Sequence, residues 1–266
     1  MVRSRLYRAY LALVFLFLYA PILVLVVYSF NDATSRGAWG GFTLRWYAEL
    51  LRDREIQTAL YYTITVAVLA AVLATAAGTI SAIGIHRMRR RPRRAFLNVN
   101  YIPVVNPEIV TGISLMILYL FLGMRLGFGT MLLSHITFNI PFVILAVLPR
   151  LKGMDKNLAE AAMDLGATPI MALRKVVIPE ILPGIVTGFL IAFTLSIDDF
   201  VISFFTTGSG VTNLSIVIYS MARRGVKPTI NALSTLMLAA VVLLLLVINR
   251  RASLVRVKPM ETENRR

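Results

Sequence analysis

The sequence predicts an all-α polytopic membrane protein that crosses a bilayer six times, and two features of its composition support this class. Of its 266 residues, 58% are hydrophobic, a larger share than soluble domains usually contain. The chain also carries 28 Lys and Arg against 13 Asp and Glu, a formal charge of +15. A high apolar content and a strong positive charge are compatible when apolar spans alternate with basic loops.

The charge distribution and the residue counts exclude several other classes. Basic residues occur in short clusters between apolar runs, whereas a nucleic-acid-binding protein gathers them on one folded face, so no nucleic-acid partner is expected. The chain contains no Cys, which excludes disulfides, thiolate metal sites and Cys nucleophiles. His86 and His135 have no ligand-like spacing, so we expect a solvated and a packed histidine rather than a metal site.

Six apolar runs are each long enough for a span of roughly 20 residues, and together they form one transmembrane domain. The third run contains Pro103 and Pro107, and Asn106-Pro107 is typical of an N-cap followed by proline at the first helical position. We therefore expect that run to divide near Pro107. Gly78 and Gly84 in the second run predict close helix contact. The predicted spans are 10–30, 58–85, 96–122, 130–149, 181–205 and 230–249.

The basic residues also predict the orientation of the chain. With six spans, the head, residues 87–94, residues 150–180 and the tail share one side and hold 20 basic residues, against 8 on the other side. Because Lys and Arg accumulate in cytoplasmic loops, both termini and the 150–180 segment are expected in the cytoplasm. The arginines of 87–94 are interpreted as topology and lipid contacts.

The 150–180 segment predicts two short helices joined by a glycine. Asp155 is expected to cap the first helix and Gly166 to end it at the C′ position. Thr168-Pro169 is expected to start the second helix and Pro179 to stop it. The apolar residues predicted to share a face are Leu158, Ala161, Ala162 and Leu165 on the first helix, and Ile170, Leu173 and Val177 on the second.

An exposed apolar face of this kind requires a covering surface, and the residues alone leave two possibilities open. The face can dock on a partner protein, with Glu160 and Asp164 as an acidic edge, or it can lie on the bilayer as an interfacial helix.

The spacing Glu160-Ala-Ala-x3-Gly166-x9-Val176-x-Ile178-Pro179 resembles the EAA loop of permease subunits in binding-protein-dependent ABC importers. That family has the pattern EAA-x3-G-x9-I-x-L-P, from which Val176 and Ile178 are conservative departures. The resemblance implies that the loop couples to an ATPase subunit. The residues that it implicates are Glu160, Ala161, Ala162, Asp164 and Gly166.

Further segments between about residues 10 and 250 resemble the second permease subunit of spermidine/putrescine importers. They are Trp46-Tyr47, residues 106–110, residues 134–138, residues 196–199 and residues 231–233. The resemblance implies a type I ABC importer permease (MetI-like) fold in the inner or plasma membrane of a prokaryote. It also implies a heterodimer with a related permease subunit, two ATP-binding cassette subunits and a periplasmic or extracellular substrate-binding protein.

The chain has no Gly-Lys dipeptide and therefore no G-x4-G-K-[ST] phosphate loop. If transport is driven by ATP, then ATP and Mg²⁺ belong to the partner ATPase subunits. No cofactor is expected in this chain, and it is expected to be a transporter subunit rather than an enzyme.

Carboxylates within apolar runs are costly and usually face water or a partner. Asp198 and Asp199 in the fifth run and Glu108 after Pro107 can pair the ammonium groups of a polyamine. The residues alone also allow an Asp pair solvated at the outer interface and a Glu that only caps a helix. Trp46 can supply a cation–π face or belong to an interfacial aromatic belt.

The resemblance assigns the substrate path to Trp46, Glu108, Ser196, Asp198 and Asp199. Glu108 stands where the family often has Asp, so the charge is kept and the reach is changed.

Other functions remain as alternatives. Related permeases carry other cationic or amine-type solutes, or organic anions, although the acidic pair argues against anions. A membrane-embedded enzyme would require converging catalytic groups. Asp198 and Asp199 would point about 100° apart on a helix, which is poor geometry for shared acid catalysis. A purely structural scaffold would not need the 150–180 segment.

A topology reporter tests the predicted orientation. A fusion at residue 165 is expected to report a cytoplasmic location, because the more basic side faces inward. A fusion at residue 125 serves as the opposite-side control. An external signal at residue 165 would contradict the six-span topology.

Overall fold

The computed structural model describes residues 2–34, 38–155, 157–224 and 228–254 of the chain. This described part is helical, with one isolated antiparallel bridge between Asn31 and Phe42 and no strand. The helices are α1 (Val2–Tyr28), α2 (Arg45–Leu50), α3 (Arg54–Arg87), α4 (Arg90–Val105), α5 (Glu108–Phe121), α6 (Phe128–Gly153), α7 (Leu158–Asp164), α8 (Pro169–Ala172), α9 (Ile178–Ile197), α10 (Val201–Thr206), α11 (Leu214–Arg224) and α12 (Pro228–Leu254). A π-helical turn, Leu173–Val177, joins α8 to α9.

The helices confirm a multi-pass membrane protein. Among the described residues, four helices are long and apolar enough to cross a membrane, and the bent pair α4–α5 makes a fifth candidate. The predicted spans 10–30, 58–85 and 130–149 coincide largely with α1, α3 and α6. The predicted span 230–249 falls within α12. The exposure of many of its side chains is not among the described features, so this sixth crossing stays a prediction.

The helices divide into two compact units, the first made of Met1–Asp53 and Met221–Arg266. Within it, α12 packs against α1 and α2. Asn31 organises the loop after α1, because its Oδ1 accepts the Gly40 backbone N–H at 2.8 Å and its Nδ2 donates to the Ala38 carbonyl at 2.8 Å. The Trp46 indole N–H donates to the Asn31 carbonyl at 2.7 Å, so α2 is fixed to this loop.

The second unit, Arg54–Ser220, is built on α3, α6 and α9, which pack against one another. Small residues on α3 allow this close packing. A Cβ at Gly78 would lie 2.7 Å from the Val143 side chain of α6, so only glycine fits there without a shift. The prediction that Gly84 also serves a close contact is wrong, because a Cβ there would meet nothing within 4 Å.

The third predicted span, 96–122, is broken as expected near Pro107. Helix α4 ends at Val105, α5 begins at Glu108, and their axes differ by 105°. The predicted capping residue is wrong. Asn106 terminates α4, and Pro107 occupies the N-cap position of α5 without a side-chain hydrogen bond.

The 150–180 segment forms a first helix, α7, and then a turn. Gly166 has φ +91°, its N–H donates to the Met163 carbonyl, and the Ala167 N–H donates to the Ala162 carbonyl. These two bonds form a Schellman motif and confirm the glycine stop. The capping role of Asp155 is wrong, because its Oδ1 accepts the Asn157 N–H in a local turn before the helix begins.

The second helix of this segment starts as predicted, because the Thr168 hydroxyl accepts the Met171 N–H. It does not stop at Pro179. The π turn bonds the Ile178 N–H to the Leu173 carbonyl, five residues back, and the helix continues into α9. The wider turn also breaks the predicted shared face, since Ile170 is exposed and Val177 is buried.

Substitution at Gly78 tests the packing of α3 on α6. Gly78→Leu is expected to destabilise the protein by about 1–3 kcal/mol through overpacking against Val143. Thermal unfolding in detergent, followed by fluorescence-detected size exclusion, measures the effect. Gly84→Leu is the matched control on the same helix and should leave the midpoint nearly unchanged. Equal midpoints for both variants would contradict this packing.

Candidate functional site

The fifth predicted span, 181–205, is interrupted at its acidic pair. Helix α9 ends at Ile197, and α10 begins at Val201. The prediction that Asp198 and Asp199 lie on one continuous helix is wrong. The physical cause is the Asp199 side chain, which accepts backbone N–H groups that a continuing helix would have paired internally.

The Asp199 carboxylate lies at the centre of a buried hydrogen-bond network and is 8% exposed. It accepts the backbone N–H of Ile202 at 3.2 Å and of Ser203 at 2.8 Å. The Ser203 hydroxyl donates to its Oδ2 at 2.8 Å, and His135 Nε2 lies 3.5 Å from the same oxygen. These bonds cap α10 and leave little of the carboxylate open to a ligand.

Polar side chains of α6 fix the helices on both sides of this break. Asn139 Nδ2 donates to the Ser196 hydroxyl at 2.7 Å and lies 3.3 Å from the Ala192 carbonyl of α9. The Thr130 hydroxyl donates to the Thr206 carbonyl of α10 at 2.7 Å. Ser196 is therefore buried and already bonded to α6.

Asn213, the residue before α11, also binds the backbone of the break. Its Nδ2 donates to the Asp199 carbonyl at 2.9 Å, and its Oδ1 accepts the Ile216 N–H at the start of α11. The following residue, Leu214, donates its N–H to the Thr63 hydroxyl of α3 at 2.8 Å. Helices α3, α6 and α11 together hold residues 198–200 in place.

Two further carboxylates accompany Asp199, and both are exposed. Asp198 ends α9 with its side chain at the surface, and Glu108 starts α5. Glu108 lies within electrostatic reach of both aspartates. This proximity follows from the packing of α5 on α10, where a Cβ on Gly112 would lie only 3.1 Å from the Phe205 ring. We call Glu108, Asp198 and Asp199 the acidic cluster.

Trp46 belongs to the first unit and is described within it. Its side chain is 5% exposed, and the Arg45 guanidinium lies 4.2 Å from the ring centroid. One cation–π face of Trp46 is thus taken by a residue of the chain itself. The assignment of Trp46 to the substrate path stays a prediction, as do those of Glu108, Ser196, Asp198 and Asp199.

Sequence reasoning did not anticipate that His135 and Asn139 meet the acidic break. Both are buried, and burial was predicted for His135 alone. A signal was present in their spacing: two polar side chains four residues apart share a helix face, and this face lies in an otherwise apolar span.

The second predicted site lies at the other end of α9. It is the 150–180 segment, which we call the coupling segment. Glu160, Ala161, Asp164 and Gly166 are exposed and Ala162 is half-buried. Large apolar side chains beside them are also exposed, led by Leu165 at 91% and Ile170 at 70%. The segment therefore presents an uncovered apolar surface with an acidic edge, and its docking role stays a prediction.

Behind the coupling segment lies a cavity of about 390 Å³. It separates α7 from the ends of α3 and α6, and its lining includes Arg87, Leu151, Met154, Glu160 and Leu173. Helix α7 packs against α8 and the π turn. The described residues contain no group of three or more His, Cys, Asp or Glu arranged to hold a metal ion.

The fold and the residue spacing of the coupling segment are those of an inner-membrane transport subunit. The family described as "Binding-protein-dependent transport system inner membrane component" matches residues 74–255, and the chain belongs to this family.

Two relatives from Escherichia coli (strain K12) are similar over most of their length. The spermidine/putrescine transport system permease protein PotC is 40% identical over 229 residues, which cover 86% of this chain and 87% of PotC. The putrescine transport system permease protein PotI is 43% identical over 238 residues, which cover 87% of this chain and 85% of PotI.

Solved structures confirm the type I importer permease fold. A bacterial ABC transporter involved in the import of the acidic polysaccharide alginate has a TM-score of 0.72 at 18% identity, covering 96% of this chain and 97% of the other. The MetNI methionine ABC transporter has a TM-score of 0.60 at 19% identity, covering 79% and 97%. The predicted all-α, MetI-like permease fold is therefore confirmed, while the sixth span and the cytoplasmic location of the termini stay predictions.

Substitution at Gly166 tests whether its left-handed backbone matters for the coupling segment. Gly166→Val is expected to cost about 1 kcal/mol or more of local stability and to lower uptake per ATP hydrolysed, because φ +91° strains a β-branched residue. Gly166→Asn should be milder, since Asn tolerates this conformation better. The measurement is the ratio of uptake to ATP hydrolysis in membrane vesicles.

The control for this experiment is Gly153→Val, at the end of α6. A Cβ there meets nothing within 4 Å, and its φ lies outside the left-handed region. Equal coupling ratios for Gly166→Val and Gly153→Val would contradict a role for the Schellman turn in coupling.

Proposed function

We propose that this chain is a permease subunit that forms half of the translocation path of an ATP-driven importer for polyamines, spermidine or putrescine. The observation that carries the proposal is the acidic cluster, which stands within the transmembrane domain of a chain whose formal charge is +15. The two Escherichia coli relatives, named as permeases for spermidine/putrescine and for putrescine, support the same substrate class.

The cluster suits a chain of ammonium groups. Opposite unit charges at about 4 Å attract by roughly 4 kcal/mol where the effective dielectric constant is about 20, and desolvation offsets part of this. Asp198 and Glu108, both exposed, are the carboxylates that a passing cation meets. Two separate carboxylates can engage two amines of one polyamine, which favours polyamines over monoamines.

The proposed assembly follows the family. The chain pairs with a related permease subunit, two ATPase subunits bind the cytoplasmic side, and a substrate-binding protein delivers the polyamine from outside. ATP and Mg²⁺ reside on the ATPase subunits, and both termini of this chain lie in the cytoplasm. The exposed apolar surface around Leu165, with Glu160 and Asp164 beside it, supports a docking site for an ATPase subunit.

Coupling in this proposal is mechanical. Closure of the ATPase subunits moves α7, and the Schellman turn transmits the motion to α8, the π turn and α9 in one continuous stretch of chain. Asp198 lies at the far end of α9, where it is the C-cap residue. A displacement at the coupling segment therefore reaches the acidic cluster through a single helix and biases the two arrangements needed for alternating access.

Charge removal tests the substrate class. Asp198→Asn and Glu108→Gln are each expected to raise the half-saturating spermidine concentration about tenfold, equivalent to about 1.4 kcal/mol of lost binding. Uptake of radiolabelled spermidine and putrescine is measured in a strain that lacks its own polyamine importers and expresses the complete transporter.

The control is Glu180→Gln, at the opposite end of the fifth span, which should transport like the wild-type protein. If the wild type takes up neither polyamine but does take up another cationic amine, the substrate assignment is wrong and the alternative amine class replaces it. If all three variants match the wild type, the acidic cluster has no part in transport.

A further inference from the structure

We infer that His135 is a positioning residue for the substrate path, acting through Ser203 on Asp199, and that Asp199 anchors the path rather than contacting the substrate. This inference rests on the proposed function for its transport readout. None of the sequence patterns assigned a role to His135 or Ser203.

The hydrogen-bond directions follow from the chemistry of the serine. A hydroxyl has one proton, and the Ser203 hydroxyl directs it to Asp199 Oδ2 at 2.8 Å. The 2.9 Å contact between Ser203 Oγ and His135 Nε2 therefore requires the histidine to be the donor. His135 therefore donates to Ser203, and Ser203 donates to the Asp199 carboxylate. This order requires the proton of the His135 ring to be on Nε2.

Burial makes this relay costly to disturb. His135 is 2% exposed, Ser203 is fully buried and Asp199 is 8% exposed. Water cannot readily replace a lost partner in such an environment, and an unpaired buried charge is strongly unfavourable. Removing the histidine N–H leaves the buried Ser203 oxygen without its donor, and we expect the Ser203 hydroxyl and the Asp199 carboxylate bonded to it to reorient.

Movement of Asp199 is transmitted to the exposed carboxylate. Asp199 accepts the N–H groups at the start of α10, and its own carbonyl accepts from Asn213. Asp198 is the adjacent residue, and its carbonyl accepts the Ser215 hydroxyl at 3.2 Å. A reoriented Asp199 therefore turns the peptide that carries Asp198, which shifts this carboxylate relative to Glu108.

The geometry thus divides the acidic cluster into two roles. Asp198 and Glu108 are exposed and available to a cation, whereas the Asp199 oxygens are bonded to α10 and to the Ser203 hydroxyl. His135 and Ser203 govern affinity for the polyamine by holding the break between α9 and α10 in one conformation.

The transport experiment compares His135→Leu, Ser203→Ala and His135→Gln in the complete transporter. The first two should raise the half-saturating spermidine concentration about fivefold or more, with the maximal rate within about twofold of wild type. His135→Gln restores an N–H donor and should stay within about twofold of wild type. The double variant His135→Leu/Ser203→Ala should be no worse than the worse single variant, because both act on one relay.

The matched control is Thr137→Val, on the exposed side of the same helix, which should change neither parameter. Membrane abundance of each variant is measured in parallel. If His135→Leu fails to assemble, Ser203→Ala, which removes a single oxygen, decides the outcome. A fall in maximal rate without a change in half-saturation in that variant would overturn the inference.

A second readout is independent of the substrate. The chain has no Cys, so Asp198→Cys supplies a single reactive thiol in this subunit. Its modification rate by a neutral maleimide should change at least about threefold when His135→Leu is added, and should stay constant with His135→Gln or Thr137→Val. Equal rates in all backgrounds would overturn the inference. Absence of polyamine uptake by the wild type would instead contradict the proposed function, and the thiol readout would still decide the positioning role.

Discussion

Backbone N–H and C=O groups at membrane depth must find partners within the protein, and this constraint shapes the second unit of the molecule. Two predicted spans are not continuous helices, one breaking at 106–107 and the other at 198–200. At the second break, polar side chains pair several of the backbone groups that the structure describes. Asp199 takes the N–H groups of α10, and Asn213, Thr130 and Asn139 take carbonyls on either side. The irregular backbone is tolerated because these side chains replace the missing helical bonds.

The sequence predicted the architecture well because apolar length is a direct consequence of bilayer thickness. It also located the glycine stop at Gly166 and the cap at Thr168, since both depend on local chemistry. It failed at Asp155, whose side chain closes a local turn before the helix, and at Pro179. Pro179 was expected to end a helix, yet a π turn supplies bonding that needs no N–H from the proline.

At the candidate site, too, some features could be predicted from the sequence and others could not. Residue types alone indicated that Glu108, Asp198 and Asp199 are unusual within apolar runs. They could not indicate that Asp199 is buried and bonded while Asp198 is exposed, because the difference arises from the break in the helix. Nor could they bring His135 to the break, since it is 64 residues from Asp199 in the chain and meets it only through packing of α6 against α10. Adjacent residues with the same chemistry thus acquire opposite environments.

The cavity behind the coupling segment affects how a displacement of α7 is passed to the rest of the protein. Helix α7 rests on α8 and the π turn, while about 390 Å³ of space separates it from the ends of α3 and α6. In the proposed coupling, α7 therefore acts as a lever that rests on the π turn rather than as a block set into the bundle. A push by the proposed ATPase subunit on its outer face would then pass to α9 more than to the packed ends of α3 and α6. The stiffness of this single widened helical turn would set how much of the displacement reaches the far end of the fifth span.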